Sequence, residues 1–157
     1  MTSRSAGDKT PDLLLLLSWA SHALMAEQAA ALAELNISPR AHCVLRQAQG
    51  GELTQRQIGD LCGVDKTTMV VTLDQLEAAG LAQRRLSPTD RRARLIAVTP
   101  EGERVLERAR EIARRIQDDV LAALPDGDRE ALLRALGTLV TGRFAGAPGC
   151  GPANPVQ

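Results

Sequence analysis

The sequence predicts a mainly α-helical fold with one small β-hairpin. Three observations carry that reading. Apolar residues recur at three- and four-residue spacing over most of the chain. Helix-opening signals (Ser38-Pro39, Thr54 to Gln57, Asp65, Thr99-Pro100) punctuate it at short intervals. Between Gly80 and Thr99 alone the period changes, to two short extended runs around a Ser-Pro-Thr-Asp turn.

The first helix is expected from about Pro11 to Glu34, with Pro11 in its first turn and Asp12 at the positive end of the helix dipole. It is apolar on nearly every side (Leu13 to Leu17, Trp19, Ala20, Ala23, Leu24), so it should be covered on more than one face. Ser38 and Pro39 open a second helix, which Gly50-Gly51 ends. Thr54 and Gln57 form a capping box for a third, closing near Cys62-Gly63. Asp65 caps a fourth, and Gly80 is its expected left-handed terminator. Leu81 to Leu86 and Arg94 to Val98 read as strands. Thr99-Pro100 starts a long fifth helix to about Leu124, with Val105, Ala109, Ile112, Ile116 and Val120 as its stripe. Pro125-Asp126 breaks it, and a sixth helix carries Leu132, Leu133, Leu136, Leu139 and Val140 to about Arg143. Residues 1–10 and 144–157 are expected to be disordered.

Composition bounds the function. The 157 residues suit one domain. One Trp, one Phe and no Tyr leave the core to Leu, Val, Ile and Ala. Nineteen basic residues balance nineteen acidic ones, which excludes a uniformly basic coat but allows a basic face. Three cysteines (Cys43, Cys62, Cys150) make no disulfide framework and suit a reducing cytosol. The Leu13–Leu17 run is far too short to span a bilayer and lacks the flanks of a secretory signal. A cytoplasmic protein with no membrane partner is expected.

The charge is concentrated where the period changes. Arg84, Arg85, Arg91, Arg92 and Arg94 are five arginines within eleven residues, opposed by Asp90. Helix, turn, helix and basic hairpin in that order form a winged helix-turn-helix. In such a motif the second helix of the pair lies in the DNA major groove. Lys66, Thr67, Thr68 and Met69 open that helix, and Thr72 and Gln75 continue its expected exposed face. Lys66 can meet a phosphate or guanine, and the threonines can meet bases, phosphates or a thymine methyl. The wing arginines suit an adjacent minor groove, with Asp90 bracing a neighbouring arginine. A single winged helix cannot also cover the apolar faces of helices 1, 5 and 6. Residues 11–35 and 100–143 are therefore expected to form a helical dimerisation region, and residues 38–99 the DNA-binding region. Two copies would place their reading helices about one DNA turn, ~34 Å, apart.

The stretch Leu73-Asp74-Gln75-Leu76-Glu77-Ala78-Ala79-Gly80-Leu81, then Arg84, Asp90-Arg91-Arg92-Ala93 and Val98-Thr99-Pro100-Glu101-Gly102, resembles the signature of the MarR (multiple-antibiotic-resistance regulator) transcription factors. The resemblance covers about residues 11–143. It implies a homodimer on a pseudo-palindromic duplex, usually a repressor, released by a small molecule or by oxidation. It makes Arg92 the minor-groove arginine, Asp90 its brace, and Lys66 to Met69 the start of the recognition helix. Val71 departs from it, standing where many members present a basic residue. The family's ligands sit between helices 1, 2 and 5. There Trp19 would stack on an aromatic ring, with His22, His42 or Arg46 meeting its carboxylate.

A winged-helix adaptor that binds protein would not need Arg91 and Arg92. Metal response is poorly served by His22 and His42, since neighbouring helical residues such as His42 and Cys43 diverge by about 100°. Redox response would rest on Cys43 or Cys62, neither in an evident thiolate-stabilising setting. No nucleophile elbow, phosphate loop or paired acids point to an enzyme, and no cofactor is expected.

Overall fold

A computed structural model describes residues 11–90 and 92–145. The readings made above for residues 1–10, for Arg91 and for the tail from Gly146, Cys150 included, lie outside the described residues. Among the described residues six helices and a two-stranded sheet follow in the order α1 (Leu13–Ala33), α2 (Pro39–Ala48), α3 (Gln55–Cys62), α4 (Lys66–Ala78), β1 (Ala82–Leu86), β2 (Arg94–Val98), α5 (Pro100–Ala122) and α6 (Asp126–Thr141). This is a mainly α fold with a hairpin wing.

The helix starts are set by short polar side chains. Ser38 Oγ accepts from Ala41 N–H (3.1 Å) at α2. At α3, Thr54 Oγ1 accepts from Gln57 N–H (3.3 Å) while Gln57 Oε1 accepts from Thr54 N–H (2.9 Å). Both orphan donors are thereby satisfied reciprocally. Gly63 ends α3 in the left-handed region (φ 62°), which turns the chain directly into Asp65, the cap of α4. At α1 the cap is Asp12 itself, which accepts from Leu15 N–H, so Pro11 lies before the helix and not in its first turn. Phe144 and Ala145, expected in the disordered tail, continue α6 as a turn: Phe144 N–H donates to Leu139 O (2.8 Å).

β1 and β2 pair antiparallel, from Ala82 opposite Val98 to Leu86 opposite Arg94. The segment entering α3 adds to the far edge of β2: Thr54 bridges Leu95, and Ile96 N–H donates to Leu53 O (3.0 Å). This bond joins the wing root to the helix-turn-helix. The core lies between α2, α4, β2 and the first half of α5, around Val44, Leu45, Ile58, Leu73, Ile96 and Leu106.

Two helices stay largely outside it. Within one chain α1 buries Leu32 alone, and α6 buries none of its residues. Among the described residues of a single copy, α1 is thus not covered on more than one face. Leu14 is 80% exposed and Trp19 63%.

The start of α5 is fixed by close packing. Thr99 Oγ1 donates to Gly80 O (2.6 Å) and accepts from Gly102 N–H (3.0 Å). A Cβ at Gly102 would collide with the Leu81 carbonyl oxygen and lie 2.6 Å from Val98 Cγ1. The Thr-x-x-Gly element of the signature therefore has a steric cause: only a hydrogen fits between α5 and the wing root. Gly102→Ala should destabilise the protein by about 2–3 kcal/mol, the cost of overpacking against rigid backbone. The check is a urea unfolding midpoint, and an unchanged midpoint would contradict this account.

Candidate nucleic-acid interface

α4 is partitioned into two faces. Met69 (1% exposed), Thr72 (4%), Leu73 and Leu76 are buried. Lys66, Thr67, Val70, Val71, Asp74 and Gln75 are exposed. Two residues assigned above to the reading face are thereby corrected. Met69 packs in the core because α4 must bury one side against α2 and β1. Thr72 joins it because its hydroxyl donates to Thr68 O (2.8 Å) in the preceding turn, which leaves its methyl for packing. Thr68 is half-buried and its hydroxyl donates to Asp65, so it completes the cap. The Thr68 hydroxyl and backbone N–H hold the Asp65 carboxyl below its ordinary range. What remains open at the start of α4 is Lys66 and Thr67, with the branched side chains of Val70 and Val71 one turn further.

Beside this turn, Gln55, Arg56, Gly59, Asp60, Val64, Lys66 and Met69 line a cleft of about 460 Å³ between α3 and α4. Arg56 is exposed there and was not singled out from the sequence. Its place in the first turn after the capping box was the available signal.

The hairpin arginines separate by role. Arg84 is half-buried and clamped: its guanidinium bonds Glu77 and Asp74 (2.8 Å to Asp74 Oδ1), and its N–H donates to Glu77 Oε1 (2.7 Å). It ties β1 to α4 and is not open to a ligand, a correction that follows from two acids one turn apart on the facing helix. Arg85, Arg92 and Arg94 are exposed, and Arg92 makes no ion pair among the described residues. Asp90 acts differently from the expected brace. Its Oδ1 accepts from the backbone N–H of Arg92 (2.9 Å), so it shapes the loop and, among the described residues, leaves the Arg92 guanidinium unpaired. Buried Ser87 completes the tip, its Oγ accepting from Thr89 N–H (3.3 Å) and Asp90 N–H (3.2 Å).

The four ligand candidates are not gathered into one site. Trp19 and His22 are exposed on α1. His42 is half-buried on α2, near Arg46 and Arg110. The apolar groove of about 340 Å³ between α1, α5 and α6 is lined by Leu24, Met25, Ile116, Val120 and Leu132 among others, and by none of the four. Among the described residues no three His, Cys, Asp or Glu side chains converge as metal ligands. No described helix is long and apolar enough to cross a membrane.

A capped helix-turn-helix with an open reading turn and an arginine-bearing wing defines the winged-helix class. The comparisons narrow it. Residues 35–93 match the model of the MarR family. A Thauera aromatica protein, whose name assigns it to transcriptional regulation of the hcr operon, is 36% identical over 84 residues; these are 54% of this chain and 51% of that one. The chain thus spans about half the length of this curated relative. CouR from Rhodococcus jostii RHA1, solved with p-coumaroyl-CoA, superposes with a TM-score of 0.68 at 28% identity over 89% of this chain and 97% of its own. CouR bound to a 23-mer DNA duplex gives a TM-score of 0.70 at 27% identity over 88% and 99%. Over residues 35–93 the chain is thus similar to the MarR family of regulators, and its fold is that of the solved CouR structures.

Burial, with the positive field of Arg46 and Arg110, holds His42 below its ordinary value of 6.5. The unfolded chain therefore binds a proton here before the folded one does. Stability from this group is complete above 6.5 and falls as pH drops below it, levelling off beneath the folded value. Urea midpoints at neutral pH and at about pH 5 should fall more for the wild type than for His42→Gln. Equal losses would contradict the shift.

Proposed function

We propose that the chain is a homodimeric, sequence-specific DNA-binding regulator of transcription, a cytoplasmic repressor released by a small aromatic or phenolic ligand. The observation that carries the reading is the open first turn of α4, packed against a wing whose Arg92 is exposed and without an ion pair among the described residues. Lys66, Arg56 and Arg92 supply the phosphate and minor-groove contacts. Thr67, Val70, Val71 and Gln75 face the base edges, the valines suiting thymine methyls. Arg85, Arg94 and Arg91, the last outside the described residues, add to the wing's positive field. The DNA-bound CouR structure supports this use of the fold.

Dimerisation is supported by the apolar surface that one copy leaves open. Leu13 to Leu16 and Trp19 on α1, with Leu132, Leu133 and Val140 on α6, are exposed. So much exposed apolar side-chain surface on two helices is unusual on a monomer, and a second copy would cover it symmetrically.

DNA binding and assembly can be tested together. A duplex selected by the wild-type protein from a random library should lose about tenfold to a hundredfold affinity with Arg92→Ala. Light scattering should still give twice the 16.8 kDa chain mass for that variant. Wild-type affinity should fall steeply with salt, because each phosphate contact releases counterions. Unchanged affinity in Arg92→Ala, or a monomeric wild type, would reject the reading.

The ligand reading rests on the α2–α5 seam, where Arg46 and Arg110 lie near His42 and favour a carboxylate. CouR's p-coumaroyl-CoA provides the precedent for an aromatic acyl ligand. A hydroxycinnamate titrated into the DNA complex should release wild-type protein and leave Arg46→Ala bound. Release of both alike would remove Arg46 from the site.

A further inference from the structure

Cys43 in the middle of α2 and Cys62, the last residue of α3, lie with their sulfurs 2.9 Å apart. That is within about 1 Å of a sulfur–sulfur bond, ~2.05 Å. Both are free thiols and both are half-buried, so solvent reaches them. Nineteen residues separate them in sequence, and the packing of α3 on α2 brings them together. This corrects the expectation that neither sits in a thiolate-stabilising setting. A thiolate on Cys43 accepts a hydrogen bond from the Cys62 thiol and feels Arg46 one turn along α2, which lowers it to about 6 against the opposing effect of burial. The Cys62 thiol, donor to that anion and partly buried, is pushed up. Arg46 favours the anion on either sulfur, so one of the pair is held as a thiolate while its partner keeps the shared proton.

We propose that Cys43 and Cys62 form a dithiol modification site which a hydroperoxide oxidises to an intrachain disulfide joining α2 to the C-terminal end of α3. In the first step the Cys43 thiolate attacks the terminal peroxide oxygen. The S–O bond forms, the O–O bond breaks, and the alkoxide leaves as alcohol after taking a proton. Cys43 is then a sulfenic acid. In the second step the Cys62 sulfur attacks the Cys43 sulfur. The S–S bond forms, the S–O bond breaks, and hydroxide leaves with the Cys62 proton as water. Two thiols and one hydroperoxide give one disulfide, one alcohol and one water, with two electrons passing from sulfur to oxygen. Gly63 and α4 follow Cys62 directly, so the bond fixes the end of α3 just ahead of the proposed reading helix. The site stands whether or not the chain binds DNA.

The test uses reduced full-length protein carrying Cys150→Ser, treated with one equivalent of tert-butyl hydroperoxide and read by intact mass without reductant. The expected product is about 2 Da lighter, single-chain on a non-reducing gel, and restored by dithiothreitol. Digestion should yield one linked peptide pair containing Cys43 and Cys62. Cys62→Ser should stop at a gain of about 16 Da, trapped as sulfenic acid. Cys43→Ser should consume peroxide at least about tenfold more slowly. A product that gains oxygen with both cysteines present, or a disulfide between chains, would overturn the proposal. The mass result on the parent protein needs no further variant, so a misfolded substitution cannot rescue or sink it.

Discussion

Burial of one side of α4 governs the rest of the molecule. Met69, Leu73 and Leu76 are apolar at helical spacing, and Thr72 is admitted among them by bonding its hydroxyl to the preceding turn. Once that side is committed to the core, the opposite side is determined, because neighbouring positions on a helix are rotated by about 100°. Lys66, Thr67, Val70, Val71 and Gln75 face outward as a consequence and not by independent selection. Any substitution that turned α4 about its axis would therefore both open the core and change which side chains are offered to a duplex.

The wing is held to that helix by charge. Arg84 meets two acids of α4 and spends its guanidinium on them. Partly buried and doubly bonded, it works as a fastener between β1 and α4, whereas the arginines further along the hairpin stay in solvent. Ser87 and Asp90 organise the tip with bonds to backbone N–H groups. A run of like charges in the sequence thus divides into a structural member at the root and a field-generating group beyond it. The division follows from which acids lie opposite each position.

Local signals were legible in the sequence because their cause is local. Ser38, Thr54 with Gln57, Asp65 and Thr99 cap helices through atoms three residues away, and each was readable as such. The errors came from contacts between distant segments. Thr72 looks polar in sequence, and its bond to a backbone carbonyl is invisible there. The clamp on Arg84 depends on acids seven and ten residues away, and the Cys43–Cys62 contact spans nineteen. Trp19, His22, His42 and Arg46 were grouped by resemblance to other proteins' pockets, but one copy of this chain leaves two on an open helix and two on another. The pairing of Leu53 and Thr54 with β2 leaves no trace in the sequence because two residues make too short a strand to show a period.

Packing at Gly102 has a mechanical meaning. The first turn of α5 sits against the Leu81 carbonyl and Val98 without the clearance of even a methyl group, so helix and hairpin root move as one piece. α5 has 23 residues and is roughly 34 Å long. Its far end lies beside α6 and the open apolar groove. A tilt imposed there would be passed to the hairpin root through that contact, with α5 as the lever arm and its fulcrum at a missing side chain.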